Sequence, residues 1–103
     1  MFDETTRVAL RQFVAERNWD KFHTPENLAK SISIEAGEPL ACFQWGDANL
    51  DEVKDELADV LTYCLHLANR LGLDSDQIIL DKLEKSRQKY PAELQNGGIV
   101  KND

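Results

Sequence analysis

The sequence lacks several features that would assign a chain to a class at once. No apolar run approaches the roughly 20 residues that span a bilayer, which argues against a membrane partner. The opening stretch MFDETTRVAL is acidic and polar and carries no basic segment ahead of an apolar one, against a secretory leader. Only two cysteines occur, Cys42 and Cys64, and no CxxC is present, which disfavours a zinc knuckle or redox motif. Each lies among apolar residues and reads as a reduced, buried thiol of a cytoplasmic protein. No segment alternates polar and apolar like a strand, and no repeat, low-complexity tract or linker interrupts the chain. Positive charge is short as well: 12 Lys and Arg against 19 Asp and Glu give a net charge of −7. That balance disfavours a nucleic-acid polymer as partner.

The 103 residues form one expected domain, residues 1–103. The negative charge is concentrated. Residues 35–59 hold eight acids and one base, so this segment alone carries the whole −7 and the remainder is neutral. The stretch 81–89 is basic, with four Lys or Arg against two acids.

Apolar periodicity and capping residues mark four helical segments. The first runs from about Asp3 to Arg17, with Val8, Leu10, Phe13 and Val14 on one side. Thr24 followed by Pro25 and Glu26 starts the second, which extends to about Gln44. Asn49 caps the third, with Glu52 at the capping-box position, and Gly72 ends it after Leu71. Asp74 or Ser75 caps the fourth, which reaches Tyr90 before Pro91 stops it. An irregular tail is expected over 91–103. The architecture predicted is all-α, a four-helix bundle-like domain with short connections. The stretch VLTYCLHLA is apolar around most of its circumference and needs neighbours on several sides. Three companion helices are few for that, so a homo-oligomer, dimer or tetramer, is expected, with the second and third helices at the contact.

Two carboxylate pairs stand out. Glu35 and Glu38 are three apart on the second helix, and Glu56 and Asp59 three apart on the third. Residues at that spacing share a helix face. Seventeen residues including a turn separate the pairs, so packing of the two helices can bring all four together. Converging carboxylates cannot all stay ionised without a cation. An oxygen-only donor set without His or Cys suits Mg²⁺, or Mn²⁺, better than zinc. A di-iron bundle would need Glu-x-x-His on two helices, and neither Glu35 nor Glu56 has one. Asp51, Glu52 and Asp55 lie in the first turns, where acids are favoured by the helix dipole, and read as capping and solubility groups.

The segments SISIEAGEPLACFQW, DELADVLTY and DKLEKSRQKYP, in that order and with NWDKFH before them, resemble the MazG-like superfamily of all-α nucleotide pyrophosphohydrolases, above all its dCTP pyrophosphatase group. The resemblance covers about Phe13 to Leu94. It implies Mg²⁺-dependent cleavage of a nucleoside triphosphate, dCTP or a modified dCTP first among candidates, to monophosphate and pyrophosphate. It further implies Glu35, Glu38, Glu56 and Asp59 as metal ligands, with Glu35 also the group that orients or deprotonates the attacking water. Lys82, Tyr63, Arg70 and Ser86 match phosphate-side positions. Trp19, Phe22, His23 and Trp45 match positions that hold a pyrimidine ring. Three residues depart from the pattern: Ser86 stands where asparagine is usual, Ala41 where glutamate is frequent, and Pro39 where leucine is common. Proline at 39 removes a helical hydrogen bond and clashes with the carbonyl of Glu35, so a kink is predicted at Gly37–Pro39. A catalytically weak helical module that binds nucleotides or a protein is the alternative these departures keep open.

Overall fold

The computed structural model describes residues 3–92, and all their regular structure is helical. Most of the tail expected to be irregular, residues 93–103, lies outside the described residues. The chain divides into two compact units, the first ending at Leu73 and the second beginning at Asp74.

In the first unit, α1 (Glu4–Glu16) begins where the Asp3 carboxylate accepts from the Thr6 amide at 3.0 Å. It ends in a Schellman motif. Asn18 adopts a left-handed conformation (φ 54°), a region that asparagine tolerates. The Asn18 amide then donates to Ala15 and the Trp19 amide to Val14. This folds Trp19 back onto Phe13, edge to face with ring centroids 5.5 Å apart. The Arg17 guanidinium covers the Phe13 ring at 3.5 Å. A 3₁₀ turn, Asp20–Phe22, leads to Thr24, whose hydroxyl accepts from the Asn27 amide to open α2 (Pro25–Ala36).

The second helix expected from the sequence is not one helix with a kink but two pieces. It stops at Gly37, and α3 (Glu38–Ala41) is a single turn beginning with Glu38 and Pro39. The Pro39 nitrogen has no hydrogen to give the Glu35 carbonyl, so the ladder cannot continue. Residues 42–44 follow in tight turns, their amides bonding three residues back.

Asn49 accepts from the amides of Asp51 and Glu52 and starts α4 (Leu50–Arg70). A second Schellman motif ends it: Gly72 (φ 70°) donates to Asn69, and Leu73 to Ala68. The helix α4 is the axis of this unit, contacted by α1, α2 and α3. The buried apolar side chains here are few: Val14, Leu28, Leu65 and Ala68, with Leu28 at 1% and Leu65 at 2% exposure.

The second unit contains α5 (Ser75–Lys89). Asp74 is its cap, accepting from the Gln77 amide, and Tyr90 closes it before Pro91. Among the described residues no helix is long and apolar enough to cross a membrane.

Candidate functional site: a carboxylate cluster beside an aromatic cavity

Glu35, in the last turn of α2, and Glu56 and Asp59 of α4 converge. One carboxylate oxygen from each lies within 4.8 Å of the others. Glu56 and Asp59 share a face because α4 is continuous there. Glu35 reaches them because the end of α2 lies beside the early turns of α4. Glu38 does not join this trio. It begins the separate turn α3 after Gly37, and its side chain is exposed. Its charge is still felt at the centre. The Glu56 carboxyl is raised above its usual range, by desolvation first, then by the charges of Glu38, Asp59 and Glu35. Glu35 and Glu56 are half-buried and Asp59 is exposed. Three oxygens this close, without a nitrogen or sulfur donor, fit a hard divalent cation.

Next to the cluster a cavity of about 270 Å³ is lined by Leu10, Phe13, Trp19, His23, Asp59, Thr62, Tyr63 and His66. Asp59 therefore belongs to both the carboxylate cluster and the cavity. The Schellman turn after α1 supplies Trp19, the 3₁₀ turn supplies His23, and α4 supplies the rest of the polar wall. His66 sits 4.9 Å from His23 and 6.1 Å from Tyr63, centroid to centroid. Its imidazole is shifted down by burial first and by His23 second, which keeps it neutral at neutral pH. The two histidines also border a larger cavity of about 550 Å³, lined with Arg11, Asn18, Asp20, Asn69 and Arg70 among others.

The structure brings together Trp19, His23 and Tyr63 beside Asp59. Within the same unit it leaves Phe22, Trp45 and Arg70 elsewhere. Phe22 is 59% exposed and Trp45 89% exposed, and neither lines the aromatic cavity. Arg70 is about 16 Å along α4 from Asp59, and its guanidinium is held by the Asp20 carboxylate at 3.4 Å. Lys82 and Ser86 lie four residues apart on α5, in the second unit. The cysteines differ from the buried thiols expected. Cys42 is half-buried and Cys64 exposed, because α4 turns that side of its stripe outward. The Cys42 thiol donates to the Glu38 carbonyl and is raised by burial, then by Glu52, Glu56 and Glu38, so it stays protonated.

His66 was not among the residues singled out from the sequence. Within VLTYCLHLA it reads as part of an apolar run. The available signal was its register: Asp59, Tyr63 and His66 are spaced i, i+4, i+7 on one face.

The fold and the site together describe an all-helical chain that gathers three carboxylates beside an aromatic cavity. Residues 30–98 match the MazG-like family, and the chain belongs to that family. It is 35% identical over 109 residues to dCTP pyrophosphatase 1 of Mus musculus, covering 95% of this chain and 64% of that protein. It is 35% identical to the Homo sapiens dCTP pyrophosphatase 1, covering 88% of this chain and 60% of that one. The chain thus spans less than two thirds of the length of these curated relatives. A crystal structure of a pyrophosphatase from Archaeoglobus fulgidus superposes with a TM-score of 0.73 at 41% identity, covering 81% of this chain and 86% of that chain.

Proposed function

We propose that the chain is a nucleoside triphosphate pyrophosphohydrolase that depends on Mg²⁺ and acts on dCTP or a modified dCTP. The observation that carries the reading is the convergence of Glu35, Glu56 and Asp59 within 4.8 Å at the rim of an aromatic cavity. Relatives named dCTP pyrophosphatase support it.

Glu35, Glu56 and Asp59 would hold the cation, with Glu38 adding charge from outside the trio. A bound divalent ion neutralises triphosphate oxygens and lowers the pKa of water in its shell. The carboxylates of this chain do the remaining work at that end. Glu35, at the helix end nearest the break, orients the attacking water and accepts its proton, so that attack falls on the α-phosphorus and pyrophosphate departs. At the other end Trp19 and Tyr63 supply flat faces for the base, and His23 a hydrogen-bonding edge. The assembly is a homo-oligomer built through apolar side chains around the α2–α3 break and the start of α4.

The test is pyrophosphate release from a panel of deoxynucleoside triphosphates, 5-methylated cytosine included, with and without Mg²⁺. Turnover is expected only with metal and fastest on a cytosine nucleotide. Glu56→Gln should lower kcat/KM by more than about a hundredfold, beyond the loss typical of partners outside the ligand shell. Nucleotide binding without turnover on any substrate would reject the hydrolase reading in favour of a binding module, the rival that Pro39, Ala41 and Ser86 keep open.

A further inference from the structure

The polar wall of the aromatic cavity contains a group to which no role has been given. Asp59, Tyr63 and His66 form a single stripe on α4, and seven residues of helix set the backbone positions of Asp59 and His66 about 10 Å apart along its axis. A nucleotide laid along this stripe with its phosphates at Asp59 brings its base past Tyr63 toward His66. The apolar side of the cavity, Phe13 and Trp19, offers faces and no base-edge acceptor. His23 and His66 stand against each other at the far end, tilted by 48°. We propose that His66 is a specificity-determining residue, reading the hydrogen-bonding edge of the bound base alongside His23. The inference rests on the nucleotide reading of the site and extends it to the choice of base.

The chemistry suits that task. A neutral imidazole presents one N–H donor and one bare nitrogen acceptor, and a protonated one presents two donors. Burial and His23 hold His66 neutral. Its bare nitrogen can accept from the amino group that a cytosine edge carries, whereas a thymine edge sets a second acceptor in that place. A site built to bond a specific edge rejects a base that leaves its buried polar groups unpaired. The Thr62 hydroxyl donates to the Ala58 carbonyl at 2.7 Å, so its proton is engaged within the helix. The freely assignable donor on this stripe beyond Tyr63 is therefore the imidazole.

The experiment compares kcat/KM for dCTP and dTTP in the unaltered protein, His66→Ala and His66→Gln. Loss of the imidazole should narrow the ratio by about tenfold, the scale of one hydrogen bond, with kcat on the better substrate nearly kept. Glutamine retains a donor and an acceptor and should restore much of the ratio. An unchanged ratio in an active His66→Ala protein overturns the proposal. A second measurement covers the case in which the protein hydrolyses nothing. Side-chain ¹⁵N resonances of His66 are followed as dCMP and dTMP are added without metal. Shifts that differ between the two uphold the role in base recognition even where the hydrolase reading fails. Absence of any shift at His66 overturns it.

Discussion

Glu56 shows how a single side chain reports on the state of the site. Its folded carboxyl holds a proton more tightly than the unfolded one, because burial and four neighbouring acids disfavour the charge. Between the ordinary value of 4.5 and the raised one, the folded state binds more protons, so stability falls as pH rises through that window. At neutral pH the metal-free protein therefore carries unrelieved repulsion. Glu56→Gln should raise its thermal midpoint in EDTA and abolish the rise that Mg²⁺ gives the unaltered protein, measured by scanning calorimetry. His66 has the opposite sign. Its folded value lies below 6.5, so as pH falls through about 6.5 the unfolded chain takes up a proton that the fold refuses. His23 faces it directly. The charged groups lining the adjoining cavity are Arg11, Asp20 and Arg70, with Arg11 bonded to Glu4 and Arg70 to Asp20. Between about pH 7.5 and about pH 5 the urea midpoint of the unaltered protein should fall relative to that of His66→Gln, a difference from which the opposing Glu56 contribution, common to both, cancels. The trio Glu35, Glu56 and Asp59 was legible because spacing and charge are local properties. The facing of His66 on His23 was not, since it depends on where the turn after α1 delivers a residue more than 40 positions away.

At the scale of elements, caps were the most readable feature. Thr24 and Asn49 each hold the amides expected of them, and Asp74 settles which of two candidates opens α5. Such bonds span two or three residues and need no tertiary partner. The break in the second helix was half legible. Proline located it, yet whether a helix bends or stops depends on what packs across the gap. Gly37 is not the cause. Its φ of −77° is ordinary, and an added Cβ would meet the Ile34 carbonyl at 3.5 Å, normal contact. Gly37→Ala should leave the break in place and stabilise by about 0.4–1 kcal/mol through the unfolded chain. Pro39→Leu should act differently. It restores an amide for the Glu35 carbonyl, joins α2 to α3 and fixes Glu35 and Glu38 three residues apart on one continuous helix. Far-UV ellipticity should deepen, and the Mg²⁺ midpoint in a thermal-shift titration should move to lower concentration. An unchanged metal response with increased helicity would mean that Glu38 has no place in the ligand set.

For the whole molecule the decisive quantity is how little apolar surface the described fold covers. Of the apolar residues from Leu57 to Leu71, Leu65 and Ala68 are buried, while Leu57 and Leu71 are half or more exposed. Ile34, Leu40, Phe43, Trp45 and Leu50 are also exposed, all within one stretch of sequence about the α2–α3 break and the start of α4. Leu40 and Phe43 line a cavity of about 410 Å³ there. Large side chains exposed in such number mark a surface meant to be covered. A second copy is the occupant this chain always has at hand, and a stable interface of about 1,600 Å² in total needs some twenty or more residues a side. Light scattering after size exclusion should therefore give a multiple of the 11.7 kDa chain mass. Leu40→Glu places a charge on α3 without touching Glu35, Glu56 or Asp59. It should shift the mass toward the monomer and lower the thermal midpoint in a concentration-dependent way, since association and folding are linked. A protein that stays monomeric at every concentration would leave these side chains without a partner copy and would sink the oligomer. Trp45 then becomes informative: it is 89% exposed and lies outside the cavity that Trp19 and Tyr63 line. Its fluorescence should respond to assembly, and nucleotide added to the Leu40→Glu monomer should leave it unchanged.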